Sequence, residues 1–162
     1  MRPKPFRPEE SGKDECYIRD QETGLVWHRC QTRTLYADTD RSALVYHANY
    51  LRYFEFGRTS LMRDTGYPYL EIEETGYIYP VIELGIQFHE SLRYDDPIYI
   101  YTRPAELERV KLRFDYTITH RKAGKIVCKG FTRHCALNSS GKPVAVDKKT
   151  VNFWHDFPGM GL

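Results

Sequence analysis

Long apolar runs are missing from this chain. Nothing in it approaches the ~18 consecutive apolar residues of a membrane-spanning helix, so no membrane span is expected. Paired cysteines are missing too. Cys16, Cys30, Cys128 and Cys135 form no CxxC and show no zinc-ligand spacing. His89, His120 and His134 are too scattered to assemble a metal site, so none is predicted. With no secretory pattern at the start, the expectation is reduced thiols in a cytoplasmic protein. A net charge of +2, without a basic run or a glycine-aromatic RNA-binding motif, excludes nucleic acid as the main partner. Repeats, low-complexity tracts and linkers are absent from residues 26–157.

What remains is one domain's worth of chain. Its 162 residues, 41% hydrophobic and 28% charged, suit a soluble globular protein with a substantial core. Residues 1–25 read as an N-terminal extension. The first 14, rich in proline and charge with Phe6 as their one aromatic, read as a mobile tail. Residues 16–29 suggest a short hairpin turning at Gly24, before a first long strand over Arg29–Tyr36. The main domain spans 26–157, and 158–162 form a C-terminal tail.

Helical spacing of Tyr50, Phe54 and Leu61 predicts a helix from about Asn49 to Asp64, closed by Gly66. Gly57 in its middle costs ~1 kcal/mol relative to alanine, which predicts a neighbouring backbone packed close. Beyond a short helical turn near Leu70–Glu74 the chain reads as β. Strands are expected over Val81–His89, Ile98–Arg103, Leu107–Thr119 and Lys125–Leu137, with a bulge or bend at Gly130 and an extension at Val144–Val146. Lys148–Leu162, with Phe153, Trp154 and Phe157, reads as a lid or short helix. One strand, one long helix and then four strands joined by tight turns point to an α+β fold. In it a curved antiparallel sheet wraps one central helix and leaves an edge free for a second copy.

The chain is organised around YADTDRSALVYHANYLRYFEFGR, Tyr36 to Arg58. A polar loop with two acids runs into an aromatic helix whose first N–H groups have no intrahelical acceptor. An isolated DxD in a loop is most simply a turn or cap element. Here it is followed by Val45-Tyr46-His47-Ala48-Asn49-Tyr50, then Tyr53-Phe54-Glu55 and Arg58. This run resembles the signature of hot-dog-fold acyl-CoA thioesterases, in the branch typified by 4-hydroxybenzoyl-CoA thioesterase. Pro80-Val81, Leu92-Arg93-Tyr94-Asp95-Asp96 and Gly141-Lys142-Pro143 agree, so the resemblance covers about residues 29–151.

The resemblance implies a hot-dog fold and an acyl-CoA substrate hydrolysed to a free acid and coenzyme A, with no cofactor. It also implies a homodimer or homotetramer. Carried onto this chain, it makes Asp40 the catalytic carboxylate, His47 the donor of a backbone N–H to the thioester oxygen, and Glu55 a helical acid near the site. Arg109 and Lys111 match the basic segment that contacts the nucleotide. Asp40 could attack the carbonyl or deprotonate a water, and both routes stay open. Glu55 also fits a helix-surface ion pair with Arg58, and Arg109 and Lys111 fit a solvated strand face. The family usually has glycine where this chain has Ala43, which implies strain or a shifted loop if that position needs φ > 0. The same pattern fits an acyl-carrier-protein thioesterase or a non-catalytic acyl-CoA-binding protein.

Overall fold

A computed structural model describes residues 5–10 and 15–159. Its strands are β1 (Tyr17–Arg19), β2 (Val26–Arg33), β3 (Val81–Phe88), β4 (Pro97–Leu107), β5 (Lys111–His120) and β6 (Ile126–Cys135). They form one antiparallel sheet in the order β1-β2-β4-β5-β6-β3. The long helix α1 (Tyr50–Asp64) packs across it, with α2 (Tyr69–Glu74) and α3 (Lys148–Asp156) beyond. This is the expected hot-dog arrangement. No helix among the described residues is long and apolar enough to cross a membrane.

Two periodicities build this core. In β5, Leu112, Phe114, Tyr116 and Ile118 are buried, while Lys111, Arg113 and Asp115 are half-buried on the other face. In α1, Tyr50, Tyr53, Phe54, Gly57, Leu61 and Met62 form the buried stripe. A Cβ on Gly57 would lie 2.5 Å from Thr102 Oγ1 and 2.6 Å from Ile100 Cγ2, so the close approach is by β4 side chains and not by the neighbouring backbone that was expected. Gly66, at φ +79°, follows the helix in the left-handed conformation.

The helix crosses the sheet obliquely. Tyr50 meets Phe88 of β3 edge-on, Phe54 stacks on Tyr116 of β5, and Asp64 reaches His28 of β2. Its N-terminal end therefore lies over the free β3 edge. That edge strand is apolar and open, with Val81, Ile82, Leu84 and Phe88 each more than two-fifths exposed.

Several expectations need correction. The first long strand begins at Val26 and ends at Arg33, because Asp38 folds back to accept the Leu35 N–H and draws Tyr36–Asp38 into a 3-10 turn. The hairpin after β4 turns at residues 108–110, beyond the gap expected between Arg103 and Leu107. Pro104 instead sits at a register shift within β4, where its missing N–H is tolerated. Arg109 thereby lies in a turn, while Lys111 opens β5. Gly130 is paired in register with both Tyr116 and Ile86. It makes no bulge there, and its missing side chain leaves room for the Phe54 ring and the Gly85 carbonyl. Val144–Val146 forms no strand, although Val144 and Val146 donate backbone bonds to Ala136 and Arg109.

The N-terminal hairpin is present as β1 and β2. Residues 5–10 are not loose: Glu9 N–H donates to the Arg19 carbonyl at 2.9 Å, and Gln21 N–H to that of Arg7 at 2.8 Å. Phe6 packs edge-on against Trp27 and Tyr101, completing a small second core with Ile18. A lone aromatic suffices because the sheet supplies its partners. The tail expectations for residues 1–4, 11–14 and 160–162 lie outside the described residues.

Candidate active site

Asp38 and Asp40 stand two residues apart with opposite surroundings. Asp38 is buried and accepts hydrogen bonds from the Leu35 N–H at 2.9 Å, the Tyr53 hydroxyl at 2.8 Å and Arg52 Nη1 at 3.2 Å. Its carbonyl also accepts from the Tyr46 N–H and from Asn49 Nδ2. Burial, followed by the hydrogen bond to Asp38, pushes the Tyr53 phenol well above its ordinary pKa. Asp38 is thus the knot that ties the loop to α1. The sequence showed it as a turn former, and its partner Tyr53 lies 15 residues away.

Asp40 is exposed. One carboxylate oxygen accepts the Ser42 N–H at 2.8 Å, and the other has no hydrogen-bond partner among the described residues. A Thr39–Val45 bridge and the Asp40 N–H to Leu44 carbonyl bond close the loop beneath it. Ala43 sits there at φ +60°. The loop therefore keeps the left-handed turn that glycine would favour, and the alanine carries the strain.

His47 opens a short 3-10 helix, His47–Asn49, that runs directly into α1. The first amides of such a start lack intrahelical acceptors and face the positive end of the helix dipole. The His47 imidazole is exposed and lies against Tyr46. Around the loop, Leu35, Tyr36, Tyr46 and Tyr94 are all exposed, and Tyr36 meets Tyr94 edge-on. Apolar side chains gathered on the surface mark a contact or binding region.

Glu55 is exposed on α1, and among the described residues it makes no ion pair with Arg58. Arg58 turns inward and donates to the Tyr116 hydroxyl at 3.0 Å. From there a buried chain runs through Thr132 to His134 Nε2, while His134 Nδ1 bonds the Tyr79 carbonyl. Burial, reinforced by Arg58, lowers the His134 pKa to about 4. With both nitrogens engaged, this histidine is a core element and not a base for catalysis.

Arg109 and Lys111 are not near Asp40 within one chain. Arg109 lies in the β4–β5 turn and Lys111 just after it, whereas the Asp40 loop joins the opposite end of the sheet, where the Thr34 N–H bonds the Asp96 carbonyl just before β4. The 11 residues of β4 separate the two ends, about 36 Å at ~3.3 Å per residue.

The tyrosines of the 67–79 segment and the aromatics of α3 fold over the far half of α1. Among them Tyr67, Tyr79, Phe153 and Trp154 line a cavity of about 40 Å³. That is room for a few waters at most, while a wider open groove of about 500 Å³ lies beside it, bordered by Tyr67, Phe153 and Phe157. Asp147 fastens this wall: it caps α3 through Thr150 and accepts from the Tyr67 and Tyr79 hydroxyls. Burial opposes its charge, yet the hydrogen bonds from Thr150, Tyr79 and Tyr67 outweigh that and lower its pKa.

The family model described as the thioesterase-like superfamily matches residues 17–153. The chain belongs to this superfamily. It is 34% identical over 121 residues to YneP of Bacillus subtilis, covering 74% of this chain and 86% of that protein. It is 27% identical over 125 residues to the acyl-CoA thioesterase YbgC of Haemophilus influenzae, covering 76% and 90%. Among solved structures, a DHNA-CoA thioesterase from Staphylococcus aureus superposes with a TM-score of 0.73 at 26% identity, covering 80% of this chain and 86% of that one. In this thioesterase-like chain the site-bearing loop, residues 36–49, falls inside the matched region.

Proposed function

We propose that this protein hydrolyses an acyl-CoA thioester to a carboxylic acid and coenzyme A, with Asp40 as the catalytic carboxylate. The carrying observation is the division of labour between two acids. Asp38 takes the loop's hydrogen bonds, and Asp40 presents a free carboxylate oxygen beside a helix start. Membership of the thioesterase-like superfamily and similarity to an acyl-CoA thioesterase support the same chemistry.

Hydrolysis needs an attacking oxygen and donors aimed where negative charge develops. The Asp40 carboxylate supplies the first, either by attacking the thioester carbon or by taking a proton from the water that does. The His47 N–H, at the positive end of α1, supplies the second. Both sit in one loop, ahead of a helix whose position is fixed by packing. Glu55, one turn and a half along the exposed side of the helix, is assigned to the substrate approach.

The working unit is a homodimer formed edge to edge through β3. Open strand groups and exposed Val81, Ile82, Leu84 and Phe88 favour such pairing. A two-fold axis normal to the sheet reverses strand ends. The partner's β4–β5 turn then comes to the same end as this chain's Asp40 loop, which itself lies over the Phe88 end of β3. Arg109 and Lys111 of one subunit thereby serve the acid of the other, holding the coenzyme's phosphates.

Substitution of Asp40 by asparagine tests the assignment. The amide is nearly isosteric but neither attacks nor accepts a proton, so turnover of short-chain, long-chain and aromatic acyl-CoAs should drop by ~10²–10⁴-fold with the melting temperature unchanged. A folded Asp40→Asn enzyme of near-normal rate would falsify the proposal.

A further inference from the structure

At the end of α1 remote from Asp40, three donors from three separate elements meet. Cys16 precedes β1, His28 lies in β2, and Asp64 is the last residue of α1. One ligand atom from each falls within 4.8 Å of the other two. The His28 side chain is wholly buried, with a ring nitrogen 2.7 Å from Asp64 Oδ2. The nitrogen that meets Asp64 is Nε2, the one placed to reach an ion held between the three side chains, while Nδ1 is buried with no hydrogen-bond partner among the described residues. Asp64 is still 45% exposed, and a groove lined by Cys16, Cys30, Ser60, Arg63 and Asp64 opens the cluster to solvent.

Electrostatics makes the arrangement more pointed. Asp64 places a carboxylate at the C-terminal end of a 15-residue helix, which is the negative end of its dipole, where cations are preferred. A bound cation would offset both charges at once. Thiolate, imidazole and carboxylate together are a donor set suited to zinc, with bonds of about 2.0–2.3 Å. Around a tetrahedral ion the donors would stand roughly 3.3–3.8 Å apart, so the His28–Asp64 pair, now hydrogen-bonded at 2.7 Å, opens to exchange that bond for the metal, and Cys16 moves inward by about 1 Å. Cys16 is half-buried in the segment leading into β1, where such movement is cheap.

We propose that Cys16, His28 and Asp64 form a binding site for a zinc-class divalent ion, with solvent as the fourth ligand. On binding, the Cys16 thiol loses its proton to solvent and its sulfur bonds the metal. The ion fastens the N-terminal hairpin to the end of α1 and stabilises the fold in proportion to its occupancy. The site lies about 22 Å along the helix from its start and takes no part in thioester chemistry.

The test is a cobalt titration of the full-length, chelator-treated protein, followed by absorbance. One equivalent should bind with a thiolate-to-cobalt charge-transfer band and intense tetrahedral d–d bands, both erased by added zinc. Cys16→Ser should abolish the charge-transfer band, whereas Cys30→Ser should keep it. Asp64→Asn should weaken binding at least tenfold, and zinc should raise the melting temperature of wild type but not of Cys16→Ser. The site is overturned by a featureless wild-type titration, by a band that persists in Cys16→Ser, or by one that follows Cys30. Because the readout is a spectrum, failure here leaves the assignment of Asp40 untouched.

Discussion

The Tyr53 hydroxyl donates a 2.8 Å hydrogen bond to the Asp38 carboxylate, tying the loop that carries Asp40 to the first turn of α1. Asp38→Asn keeps the shape but turns one acceptor oxygen into a donor facing the Tyr53 hydroxyl or the Leu35 N–H. Leaving one of those buried donors unpaired costs ~1–3 kcal/mol. The expected result is a lower denaturant midpoint together with a partial loss of turnover as the loop loosens. This is the reverse of the Asp40→Asn pattern, in which activity goes and stability stays. Equal stability of the two variants would remove the structural role given to Asp38.

Ala43 stands at φ +60°, a conformation that costs a residue with a Cβ ~1–2 kcal/mol. Glycine relieves that strain but adds roughly 0.5–1 kcal/mol of unfolded-chain entropy. Ala43→Gly should therefore leave stability unchanged or raise it by about 1 kcal/mol, with turnover equal or higher. A large loss of turnover, measured on the folded variant, would mean that the loop works by a path glycine does not support.

How much of this was legible in the sequence follows from the range of the interactions. The α1 stripe, its Gly66 end and the alternation in β5 are local patterns, and they appear where their spacing puts them. Gly57 was readable as a close approach because an interior helical glycine needs a reason. Gly130 was misread because a strand glycine has two explanations, a bulge or a ring packed above it, and only the position of Phe54 decides between them. The strands read as ending at Arg103 and restarting at Leu107 are one continuous β4, whose register shift absorbs Pro104. Within the candidate site, the motif pointed to Asp40 and His47, but it could not show that Asp38 is held by Tyr53 and Arg52 reaching it from the helix. Arg58 looked like a partner for Glu55 by spacing, and the inward pull of Tyr116 took it elsewhere. Cys16, His28 and Asp64 are separated by 12 and 36 residues, so no spacing rule could join them.

His134 predicts a pH dependence of stability. Its pKa is lowered to about 4, by burial first and Arg58 second, from the ordinary value of 6.5. The unfolded chain therefore binds a proton at this position between pH 6.5 and 4 that the folded chain does not. Its linkage leaves stability intact above pH 6.5 and erodes it as pH falls toward 4, by up to ~1.4 kcal/mol per pH unit. His134→Gln should flatten the difference between urea midpoints at pH 7 and pH 5. Identical pH profiles for wild type and variant would show that His134 is not the group responsible.

The dimer proposal makes the sharpest demand, because it assigns the two halves of one site to different chains. Arg109→Ala with Lys111→Ala should raise KM for acyl-CoA more than it lowers kcat, since phosphate contacts act alike in ground and transition states. A truncated pantetheine thioester, lacking those phosphates, should be hydrolysed almost normally. Asp40→Asn should be inactive on both substrates. Mixing the two variant chains and letting subunits exchange should then restore acyl-CoA hydrolysis at low substrate. Each mixed dimer pairs an intact Asp40 with an intact Arg109–Lys111 turn in one site and collects both lesions in the other. Leu84→Lys on the exposed edge strand should abolish both dimerisation and this rescue, as read by sedimentation and by the same assay. Rescue fails if acid and basic turn serve one site from a single chain, because every site then retains one lesion. A fully active monomer at assay concentration would likewise end the shared-site reading.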